Sequence, residues 1–112
     1  MKTRLLAAFL LWLASSPASQ TARLYTDAGP GSSPCAKQSA GSADWMLQNV
    51  DKDRPAIVLL DRVHTEDGKA THTGVAVVLA PGETRKLGCS TWTDEKGRPV
   101  ARSFTIRLVK LR

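Results

Sequence analysis

AIVLLDRVHTEDGKATHTGVAVVL, residues 56–79, decides the fold. Two runs rich in Val, Ile, Leu and Thr flank Glu66-Asp67-Gly68-Lys69. Asp-Gly supplies the positive φ that a tight hairpin turn needs. The stretch therefore reads as two antiparallel strands, Ala56–Thr65 and Ala70–Leu79. A three-residue loop, Glu66-Asp67-Gly68 with Gly68 in a bulge, pairs odd positions with odd. That register groups Ile57, Leu59 and Val63 with Val75, Val77 and Leu79 on the buried face. It places Asp61 on that face too, where either its end of the strand reaches the rim or Arg62 or a backbone amide pairs with it. His64 and His72 then share the opposite face near the turn. Burying a large apolar side chain contributes roughly 1.5–3 kcal/mol, so a charge at Leu59 or Val77 is expected to unfold the domain.

The same alternation of strands and turns continues on both sides. Ala80-Pro81-Gly82-Glu83 is a turn in which Pro presets one dihedral and Gly accepts the next. A strand follows over Thr84–Thr93, then a turn at Asp94-Glu95-Lys96-Gly97, then a last strand from Arg98 to Leu111. In that last strand Val100, Phe104, Ile106 and Leu108 form the apolar row, and Arg107 points out. Upstream, Trp45–Val50 is a strand and Asp51-Lys52-Asp53-Arg54-Pro55 a polar turn. About five short strands joined by tight turns predict an all-β domain over residues 44–112: a small immunoglobulin-like antiparallel β-sandwich.

Residues 19–43 are rich in Ser, Ala, Gly and Pro, which reads as a flexible leader with little core-forming content. The first 18 residues have the parts of an export signal: Lys2 and Arg4, the apolar run Leu5 to Ala14, then Ser16 and Ala18 at small-residue cleavage positions. The apolar run is too short to cross a hydrocarbon layer of ~30 Å. The expected protein is therefore periplasmic or secreted, with no membrane-spanning segment once residues 1–18 are removed. Beyond the membrane the compartments are oxidising, so Cys35 and Cys89 are expected to form one disulfide. Closing a loop of about 55 residues contributes on the order of 4 kcal/mol. A domain this small needs such help.

The 112-residue chain has a net charge of +6. Its basic residues gather late: residues 84–112 hold eight Lys or Arg and two acids. That gradient suits an acidic partner. Nucleic acid is a poor fit, because no aromatic residues interleave with the charges as stacking platforms. Trp92 stands among Thr91, Thr93 and Asp94 beside a turn. With Arg98 and Arg102 it is the candidate contact, since binding surfaces favour exposed Trp and Arg. Trp45, followed by Met46 and Leu47, is expected in the core. His64 and His72 are candidate metal ligands that lack a third partner. The acids show no acid–base pairing, and no serine lies in a nucleophile elbow, so no catalytic residue and no cofactor are expected.

Cys35, Trp45 and Cys89 stand in the order of an immunoglobulin domain's two cysteines and tryptophan. Cys35, however, follows Ser-Ser-Pro rather than lying in a strand, and Leu87 stands where those domains carry tyrosine. Leu79-Ala80-Pro81-Gly82-Glu83 followed by Leu87-Gly88-Cys89 resembles a pattern in small exported β-sandwich proteins of Gram-negative bacteria. That resemblance covers about a tenth of the chain. It implies a sandwich fold and an envelope location, and no activity. The expected function is a non-catalytic interaction module that binds another envelope protein or an anionic surface polymer. Alternatives are an inhibitor or immunity-type protein of a hydrolase or toxin, and a small metal-binding protein using His64 and His72.

Overall fold

The computed structural model describes residues 21–112. The expected signal peptide, residues 1–18, lies outside them. The chain forms β1 (Ala22–Asp27), α1 (Pro34–Gln38), β2 (Asp44–Asn49), β3 (Ala56–Glu66), β4 (Lys69–Leu79), β5 (Thr84–Cys89), β6 (Thr91–Thr93) and β7 (Pro99–Leu111). One antiparallel sheet has the order β1-β2-β5, the other β4-β3-β7-β6. Ala22 and Leu47 from the first sheet meet Val58, Leu60, Val77, Leu79 and Phe104 from the second in one apolar cluster. The protein is all-β, and Cys35 is bonded to Cys89 with their Cα atoms 5.5 Å apart.

The β3–β4 turn has two residues, not three. Asp67 and Gly68 both have positive φ, 53° and 75°, and Glu66 pairs directly with Lys69. Positive φ at both central residues gives a twist that matches the flanking strands, so the tight turn wins over the bulged loop. The register therefore differs by one residue from the expected one, and every side chain of β3 changes face. Ala56, Val58 and Leu60 oppose Leu79, Val77 and Val75 in the core. Ile57, Leu59, Asp61 and Val63 face outward instead. Leu59 is 38% exposed and Leu60 1%. The sensitive position for a charge is thus Leu60, not Leu59.

A second shift lies in β7. Leu60 pairs with Ile106 and Leu59 with Leu108, which leaves Arg107 as the extra residue of a β-bulge. Val100, Phe104 and Ile106 pack inward as expected, but past the bulge the parity inverts. Val109 and Leu111 pack on the core, and Leu108 is 54% exposed.

The expected strand Thr84–Thr93 breaks at Ser90 and serves both sheets: β5 pairs with β2, and β6 with β7. Ser90 joins the two layers. Its amide donates to the Ala43 carbonyl (2.7 Å), its hydroxyl accepts from the Ala43 amide (3.0 Å), and its carbonyl accepts from the Arg102 amide (2.8 Å).

Residues 22–43 are not an unstructured leader. β1 pairs with β2 along its whole length, and Ala22 and Leu24 pack on the core. Ser33 caps the short helix α1, its hydroxyl accepting from the Ala36 amide, with Pro34 in the first turn where its missing N–H costs nothing. Buried Asp44 ties this segment to the body. Its carboxylate accepts from the Ser33 hydroxyl and the Cys35 amide, each at 3.0 Å, and pairs with Lys86 Nζ at 3.2 Å.

Candidate binding site

β3 and β7 continue beyond the apolar core. After Leu60, the same inner face of β3 carries Arg62, His64 and Glu66, opposite Phe104, Arg102 and Val100 of β7. β6 adds Trp92, which pairs with Val100. The tight Asp67-Gly68 turn is what brings these side chains to one face, because the longer loop would have turned Arg62 and His64 outward.

Trp92 and Arg102, two of the three partner-binding candidates, touch. The Arg102 guanidinium carbon lies 5.1 Å from the Trp92 ring centroid, within cation–π range. His64 stands opposite Arg102 in the ladder and inclines against Trp92, with ring centroids 5.9 Å apart. Arg102 Nε and Nη2 approach His64 Nδ1 at 3.3 and 3.1 Å. A guanidinium only donates, so Nδ1 is the acceptor in this arrangement. On the other side of the ring, His64 Nε2 is 3.7 Å from Glu66 Oε2. Burial pushes the Arg102 pKa below its ordinary value, and the neighbouring Arg62 charge adds to the effect. The backbone below is held by Trp45, which packs edge-on against Phe104 (5.7 Å) and donates its indole N–H to the Arg102 carbonyl (2.8 Å). Trp45 thus sits against the core, as expected.

Arg98, the third candidate, lies on the turn joining β6 to β7. Asp94 organises that turn. Its carboxylate accepts from the Lys96 and Arg98 amides, both at 2.9 Å, and pairs with Arg98 Nε at 3.1 Å. The Arg98 amide is the largest of the causes that hold the Asp94 carboxyl below its usual range. Trp92 and Arg98 line one depression of about 510 Å³, with Ser39, Thr65, Asp67, Thr91 and Thr93 around them; Arg102 lies outside its lining. An aromatic ring flanked by hydroxyls and guanidiniums can stack on a flat ring and bind acidic oxygens.

The two histidines do not come together. His72 is opposite Val63 and His64 opposite Thr71, so they lie on opposite faces of the hairpin. His72 Nδ1 meets Asp61 at 3.2 Å on the outer face, so Asp61 is partnered there by His72 rather than by Arg62. Among the described residues, the group with metal-ligand spacing is Cys35, Asp44 and Cys89, within 4.8 Å of one another, and both of its sulfurs are joined in the disulfide.

Arg62 is the member of the site that sequence reasoning missed, and His64 was proposed only as a metal ligand. The available signal was the Asp-Gly pair itself. A two-residue turn there puts Arg62, His64 and Arg102 on one face. No family model matches this chain, and neither does any curated protein or solved structure.

Proposed function

We propose that this protein is an exported, non-catalytic binding module that holds an acidic surface polymer on the ledge formed by Trp92, Arg98 and Arg102. The observation that carries the reading is the half-exposed Trp92 ring with Arg102 stacked 5.1 Å from its centroid, beside a hydroxyl-lined depression shared with Arg98. A sugar ring has an apolar face for the indole, and an acid group suits the guanidiniums. Export is supported by the signal-like residues 1–18 and by the disulfide, which persists in oxidising compartments. Among the described residues, no helix is long and apolar enough to cross a membrane.

Calorimetric titration with polygalacturonate, with neutral dextran as control, tests the proposal. Binding to the acidic polymer that weakens as ionic strength rises, with Trp92→Ala reducing it about tenfold or more, supports it. Equal affinity for both polymers, or none for either, removes it.

A second reading, an inhibitor or immunity-type protein that covers another protein, draws on the outer face of the four-stranded sheet. There Leu59 and Leu108 are paired neighbours, and Val78, 53% exposed, pairs with Ile57 two residues before Leu59. Exposed apolar patches of this kind often mark protein contacts. Recovery of one stoichiometric protein partner by the wild type and its loss on Leu108→Ser would favour that reading.

A further inference from the structure

The ledge continues into a side chain that the proposed polymer contact does not use. Arg62 lies two residues before His64 on the inner face of β3, opposite Phe104. Its Nε is buried and has no hydrogen-bond partner. Among the described residues, ion pairs join Arg85 to Glu83, Lys86 to Asp44 and Arg98 to Asp94, and the two histidines lie beside carboxylates, His64 near Glu66 and His72 near Asp61. None reaches Arg62 or Arg102. Two guanidiniums therefore share one half-buried face, and neither is ion-paired with a carboxylate; Glu66 on that face is directed at His64. A buried donor left unsatisfied is destabilising, and more so when it is charged. Buried polar groups ordinarily have a protein or water partner, so an unpartnered one calls for an explanation.

Arg102 is positioned differently. Its Nε and Nη2 are directed at His64 Nδ1, which holds the guanidinium against Trp92. Among the described residues its other N–H groups make no hydrogen bond, and neither do those of Arg62, whose Nε is itself buried. We propose that Arg62 and Arg102 together form an oxyanion subsite that receives one acidic group (carboxylate, sulfate or phosphate) of the polymer lying on Trp92. His64 is a positioning residue that acts through Arg102. This rests on the polymer reading above for the source of the anion, but the subsite's chemistry is that of any oxyanion.

The proposal makes binding and stability move in opposite directions. An arginine kept for structure loses stability when it is replaced. An arginine kept for a ligand loses affinity, while the unliganded fold gains or keeps stability because an unpaired buried charge has gone. Arg62→Met preserves the aliphatic stem and removes the charge.

The test follows the side-chain Nε–H resonance of Arg62 by NMR in the full chain, first with inorganic phosphate and then with polygalacturonate. The Arg62 signal is expected to move saturably with phosphate. Arg62→Met is expected to bind the polymer about tenfold more weakly, as for loss of one charge-assisted hydrogen bond, with a Tm equal to or above that of the wild type. An Arg62 signal that moves with neither probe overturns the subsite. So does an Arg62→Met variant with wild-type affinity for a polymer that binds. If phosphate shifts Arg62 but the polymer fails to bind, the polymer reading falls and the oxyanion subsite stands. If the polymer binds the wild type and Arg62→Met alike, the polymer reading stands and the subsite falls.

Discussion

Burial and hydrogen bonding act in opposite directions on Asp44. Burial alone would push its carboxyl up, but the Cys35 amide, the Ser33 hydroxyl and the Lys86 ammonium together hold it below its ordinary value of 3.8. A carboxyl with a depressed folded pKa contributes stability above its unfolded pKa, and that contribution is lost as the pH falls through the folded value. The wild type should therefore lose stability below about pH 3.8 more steeply than Asp44→Asn, and the variant should be the weaker of the two at pH 7. Urea denaturation at pH 7 and pH 3 checks both statements. At the neighbouring positions 59 and 60 the contrast is steric. Leu60→Ala opens a cavity in the core and should cost about 2–5 kcal/mol. Leu59→Ala, on the outer face, should cost under about 1 kcal/mol by the same denaturation assay. Hydropathy favours the opposite assignment, because Ile57, Leu59 and Val63 make the more apolar row. Side-chain character at these residues did not show which face was buried.

Among the elements, the β3–β4 hairpin shows where sequence reading succeeded and where it stopped. Both strands and the position of the turn were legible from β-branched runs around Asp67-Gly68. The register was not, because it depends on whether that turn holds two residues or three. Gly68→Ala tests the turn: at φ 75° a Cβ is strained, and the substitution should cost roughly 1–2 kcal/mol by thermal denaturation. The Arg107 bulge and the break at Ser90 were hidden for a related reason. Each depends on what the neighbouring strand does, and a single strand's alternation does not record that. β1 was missed because Ala22–Asp27 stands beside a Ser/Gly/Pro-rich stretch, and its pairing with β2 is supplied by the fold. The site suffered from the register directly. Trp92, Arg98 and Arg102 could be proposed from residue type and place, whereas Arg62 and His64 join them only when the tight turn sets the face.

For the whole molecule, the Cys35–Cys89 bond holds α1 against β5, an edge strand of the three-stranded sheet. Replacing both cysteines with serine should lower stability by on the order of 4 kcal/mol and expose the 22–43 segment to proteolysis. Limited digestion followed by mass spectrometry reads this out, with cleavage expected between Asp27 and Asp44 in the variant first. The ledge rests on the same scaffold, since Ser90 of the β5–β6 break bonds both Ala43 and Arg102. The central claim is that an acidic ligand lies on Trp92, held by the guanidiniums of Arg98 and Arg102 beside it. It is tested most directly by following the indole N–H resonances of Trp92 and Trp45 during titration with polygalacturonate at low salt. The expected result is a saturable shift of Trp92, a much smaller one for Trp45, and loss of the Trp92 shift in Arg102→Met. A polymer that binds while the Trp92 signal stays still would contradict the claim.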